Sequence, residues 1–175
     1  MKRKPAKKAH YIKTAIIVDY MGHGFGEVTR EDEIEEHKSR FGDWASPVKL
    51  KVSTPMGTHP GEIEVGTDLV IYDFGGLMPG TSLMETNARH LVQWAADNPN
   101  SLVVIVSEMT YRNYFKYEAE EMGLLDQLHN VVCDAAPLMD EDKKNPHYRT
   151  RSSPFPGWFE KAHGITPKGE DYFRP

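Results

Sequence analysis

Four short apolar runs dominate this sequence: AIIV at 15–18, LVIY at 69–72, LVVIV at 102–106 and VVC at 131–133. A strand with one wet face alternates apolar and polar residues. A strand buried on both faces, as in a parallel sheet, has no need to. The runs sit in segments that read as strands: YIKTAIIVDY (11–20), DLVIYDF (68–74), SLVVIVSEM (101–109) and HNVVCDA (129–135). A further segment, VKLKVST (48–54), does alternate. Its Lys49 and Lys51 suit an edge strand, where charge deters pairing with another chain.

Helical patterns separate these strands. Thr29 can cap a helix through EDEIEEHKSRF, with Asp32 three residues on and Ile34 and Phe41 as anchors. Ser82 and Glu85 form an S-x-x-E box ahead of Leu83, Ala88, Leu91, Val92 and Ala95. A third helix begins at Thr110, with Tyr111, Tyr114, Phe115, Ala119 and Met122 as its apolar stripe and Gly123 placed to end it. PMGTHPGEIEVGT (55–67) breaks the alternation with Gly and Pro where another helix would fall. The expected fold is therefore α/β: a mainly parallel five-stranded sheet with helices on both faces, followed by an irregular tail.

The chain divides by composition. Residues 1–13 hold six of the 21 Lys and Arg and no acid, which leaves 15 basic against 26 acidic residues for the rest. This basic arm can solubilise the chain, fold back on the acidic body, or touch nucleic acid weakly. Residues 14–138 form the α/β domain. Residues 139–175 form a tail rich in proline and aromatic residues, with PGWFEKAHG as a short helix. Its Phe155, Trp158 and Phe159 are expected to dock, either on the parent domain or on a protein partner or second copy. No apolar run reaches the roughly 18 residues of a spanning helix, so no membrane contact is expected. The basic N-terminus lacks a signal-peptide core. A lone cysteine, Cys133, fits a reducing compartment such as the cytoplasm.

Parallel strands gather their carboxyl ends on one edge, where ligands of open α/β sheets bind. Asp19, Asp73, Ser107 and Asp134 follow the four apolar runs and should meet there. Asp19 and Asp73 are the candidate metal ligands, since paired carboxylates suit Mg²⁺. Gly22, Gly24 and Gly26, in GHGFG, add a loop whose backbone N–H groups can approach a phosphate. The spacing is not that of a dinucleotide loop, and the acids that follow would repel phosphate. His23, His37, His59, His90, His129, His147 and His163 show no H-x-x-x-H pairing, which argues against structural zinc.

The order Asp, Asp, Ser on successive strand ends resembles the receiver domain of two-component response regulators. YDFGGLMPGTSLMETNARHL (72–91) looks like that family's acceptor-aspartate turn, and NPNSLVVIVSEM (98–109) like its Ser/Thr strand. The resemblance implies a receiver-like or flavodoxin-like scaffold. Asp19-Tyr20 stands where receivers carry an acidic pair, and Ala136 where they carry lysine, so their phosphorelay is not implied. Three functional readings follow. The first is a non-catalytic module that binds a macromolecule through its tail. The second is a Mg²⁺- or phosphate-dependent enzyme or small-ligand binder at the strand ends. The third is a subunit of a larger assembly.

Overall fold

Each apolar run forms a strand. The computed structural model describes residues 10–19, 29–73, 82–106, 109–133, 136–137 and 153–166. β1 (Tyr11–Val18) lies between β2 (Lys49–Ser53) and β3 (Leu69–Asp73), with β4 (Leu102–Val106) and β5 (Val131–Cys133) beyond β3, all parallel. A two-residue strand, β6 (Ala136–Pro137), turns back antiparallel against β5 and makes a six-stranded sheet. β2 is an edge strand, as its lysines foretell, and β1 already begins within the last three residues of the basic arm.

The order 2-1-3-4-5 is the flavodoxin-like one. From β1 the chain steps outward to β2; from β3 it steps the other way to β4 and β5. Crossovers of one hand must then place their helices on opposite faces. Accordingly α1 (Arg30–Ala45) covers one face, and α2 (Ser82–Asp97) and α3 (Met109–Glu121) cover the other. A 3₁₀ turn at Pro60–Glu62 replaces the helix after β2, and Ile63 beside it packs among the residues of α2.

Strand alternation builds two cores. Ala15, Ile17, Val70, Tyr72, Val103 and Ile105 face α2 and α3. Ile12, Ile16, Val18, Leu69, Ile71 and Val104 face α1. On α2 the buried stripe starts at Met84, while Leu83, expected to be inside, is 45% exposed. Met84, Ala88, Leu91, Val92 and Ala95 share one helical face, and Leu83 is about 100° off it. Gly123 takes a φ of 68° just past α3, a conformation that glycine alone adopts freely.

The tail contributes a helix of its own. α4 (Gly157–His163) lies on the α1 face, where Phe155, Phe159 and Ile165 join Phe41 and Ala45 in the core. Phe41 and Phe155 have ring centroids 6.1 Å apart, and Thr166 N–H donates to Ser46 O at 3.2 Å. Among the described residues no helix is long and apolar enough to cross a membrane.

Candidate functional site

The change of direction between β1 and β3 makes their carboxyl ends the switch point of this topology, the place where open α/β sheets bind ligands. Asp19 and Asp73 stand on its two sides. The sheet register pairs Val18 with Asp73, so Asp19 is one residue beyond that pair. Asp19 N–H nevertheless donates to Asp73 O at 3.0 Å, which ties the two strand tips together. Because side chains alternate, the carboxylates leave toward opposite faces of the sheet.

Asp19 turns to the α2 face. Its Oδ2 accepts from the Tyr72 hydroxyl and from Asn87 Nδ2, the latter at 2.5 Å. Tyr72 is fully buried in the middle of a core, and its hydroxyl finds in Asp19 the partner that burial demands. Burial pushes the Asp19 carboxyl up, against the pull of Tyr72, Asn87 and the Arg30 charge, with Asp73 adding a small push in the same direction. The Tyr72 hydroxyl is pushed far up as well, by burial first and by the Asp19 charge second.

Asp73 turns to the α1 face, where His37 Nε2 lies 2.7 Å from its Oδ2. His37 sits in the 33-37-41-45 row of α1, above the buried Phe41 and Ala45, and its side chain is only 3% exposed. Glu33, one turn earlier, places Oε2 4.0 Å from the same nitrogen. Glu33, His37 and Asp73 thus offer three ligand atoms within 4.8 Å of one another.

The bonding of His37 decides how that group can work. Its Nδ1 is buried and, among the described residues, without a hydrogen-bond partner. The tautomer with hydrogen on Nε2 donates to Asp73 and leaves only a lone pair unmet. A metal on Nε2 would move the hydrogen to Nδ1, where no acceptor lies among the described residues. Histidines that bind metals generally donate from the second nitrogen. His37 therefore fits the role of a donor that orients Asp73, and the carboxylates are the groups suited to meet a ligand.

The surroundings are acidic. Glu31, Asp32 and Glu33 occupy the first turn of α1, and Thr29 and Asp32 cap that helix reciprocally. Arg30 is the cation nearest this edge in sequence, and its donors already have partners. Nε donates to Val18 O at 3.0 Å, Nη2 to Pro55 O at 3.0 Å, and Nη1 lies 3.1 Å from Met56 Sδ. Residues 20–28 and 74–81, which follow β1 and β3, contain no Lys or Arg.

Of the residues expected from sequence, Asp19 and Asp73 lie together at the carboxyl edge. Gly22, Gly24, Gly26, Ser107 and Asp134 lie outside the described residues. Phe155 and Phe159 are 1% and 0% exposed within their own domain, and Trp158 is 41% exposed. His37 is the residue that sequence reading passes over. Its signal is the fourfold spacing to Phe41 and Ala45, which places a polar residue on a buried helical row. Comparison with protein-family models and with curated proteins finds no match to this chain.

Proposed function

We propose that the chain binds a small cationic ligand at the β1/β3 switch point, in the first instance a hydrated divalent ion of the Mg²⁺ class. The observation that carries this reading is the pair of strand-tip carboxylates, Asp19 held by Tyr72 and Asn87, Asp73 held by His37. Such an ion takes oxygen ligands and keeps several waters, so Asp73 can hold it directly while Asp19, on the other face of the sheet, meets it through its waters. The acidic first turn of α1 attracts a cation and repels a phosphate. The reading keeps the expected metal pair and drops the phosphate that the GHGFG loop could have admitted.

Thermal unfolding with MgCl₂, MnCl₂ or sodium phosphate tests it. A ligand at a hundred times its Kd stabilises the folded chain by about 2.7 kcal/mol, or roughly 5–10 °C at this size. The expected result is a rise with the cations that Asp73→Asn abolishes, and none with phosphate. A rise with phosphate alone, or one that Asp73→Asn leaves intact, overturns it.

A second reading, contact with a macromolecule through the tail, has the exposed Trp158 in its favour. Light scattering on the wild type and Trp158→Ala tests it, since a complex that the variant retains does not use this surface. The receiver-like reading gains Asp73 at the tip of β3, where receivers carry their acceptor. It loses ground where the chain turns back as β6 at Ala136.

A further inference from the structure

At the opposite edge of the sheet, ahead of β1, His10 meets His163 from the last residue of α4. His10 Nε2 lies 3.3 Å from His163 Nδ1. The ring planes differ by 21° and the centroids are 5.5 Å apart, so the imidazoles lie edge to edge and share one hydrogen. An imidazole–imidazole hydrogen bond near water contributes little by itself. What the fold achieves is to bring two imidazole nitrogens, 153 positions apart in sequence, to a short spacing. The last helix is in turn held by Phe159, whose ring centroid is 4.4 Å from that of His163.

We propose that His10 and His163 form a two-histidine site for a borderline divalent ion of the Zn²⁺ or Ni²⁺ class, bridging the first strand and the last helix. Two nitrogens each about 2.05 Å from a tetrahedral ion lie about 3.3 Å apart, which matches the spacing found here. Imidazole pairs favour such ions over Mg²⁺ or Ca²⁺. Water completes the coordination, since two protein ligands converge here among the described residues. His10 is exposed and His163 half-buried, so the rings can turn a few tens of degrees and, with the shared hydrogen moved to the outer nitrogen of its ring, present two converging lone pairs. The neighbouring charges permit this. Lys13 Nζ is drawn away to Val65 O and Glu64, and Asp68 lies within electrostatic reach of His163. Burial pushes the His163 imidazole down, with Asp68 opposing and His10 adding, so at neutral pH the ring is uncharged, with hydrogen on one nitrogen and a lone pair on the other.

Calorimetric titration of the full chain with ZnCl₂ at pH 7.5, set beside MgCl₂, tests the site. The expected result is one zinc equivalent on this pair and a rise in Tm of about 5 °C. Affinity should fall at least tenfold in His10→Ala and in His163→Gln, and stay unchanged in His37→Gln, which separates this site from the carboxylate pair. As a measurement on the unaltered chain, substoichiometric Cu²⁺ should broaden the imidazole resonances of His10 and His163 before those of the other six histidines. Zinc affinity unaffected by His10→Ala, no zinc binding at all, or broadening led by other histidines overturns the proposal.

Discussion

Asp19 carries a cost that its neighbours only partly offset. The folded chain holds the Asp19 proton more tightly than the unfolded chain does, because burial disfavours the carboxylate. Its stability contribution is therefore best below the ordinary aspartate value of 3.8, falls as pH rises through the window up to the raised value, and stays low above it. Asp19→Asn keeps an oxygen for Tyr72 and Asn87 without the buried charge. It should be more stable than the wild type at pH 7 by about 1 kcal/mol, the size commonly recovered at a functional site, and equal to it below pH 3.8. Urea midpoints at both pH values check this; a variant less stable at pH 7 contradicts it. His37→Ala removes the donor to Asp73 and opens space beside Phe41. The loss should be about 2 kcal/mol or more, read as a lowered midpoint with an unchanged slope.

At the scale of elements, α4 is the piece whose role the sequence leaves open. Phe155, Phe159 and Ile165 fill the α1 face. Phe159→Ala should cost about 3–5 kcal/mol, and a chain ending at residue 152 should bare that face and lose cooperative unfolding. A truncated chain that unfolds as sharply as the whole would show that α4 is an ornament. The strands were legible because runs such as AIIV and LVVIV have neither the length of a helix nor the alternation of a one-sided strand. The turn at 60–62 was legible from its Gly and Pro. β6 was not, since two residues carry no period. The docking of Phe155 and Phe159 was legible as a need for cover but not as a place, because only the tertiary fold says which surface lies within reach. The same holds for the site. Each aspartate is visible at the end of its apolar run, but the faces they choose depend on the Val18–Asp73 register, a contact between distant segments. His37 was hidden by a helix with few apolar anchors, where a polar residue reads as solvated.

For the molecule as a whole, the two proposed sites lie at opposed edges of the sheet. The carboxyl edge gathers acids at the switch point, and the amino edge brings the start of β1 and the end of α4 together at His10 and His163. Binding at either edge stabilises the same fold, so the two should add in Tm with little coupling between sites this far apart in the structure. The central claim concerns the carboxyl edge, and paramagnetic relaxation by Mn²⁺ in a ¹⁵N-labelled sample tests it most directly. Broadening should appear first at the amides of Val18, Asp19, Tyr72, Asp73 and the Glu33–His37 turn, and vanish in Asp73→Asn. Broadening that spares the tips of β1 and β3, or that persists there without the Asp73 carboxylate, would contradict the account.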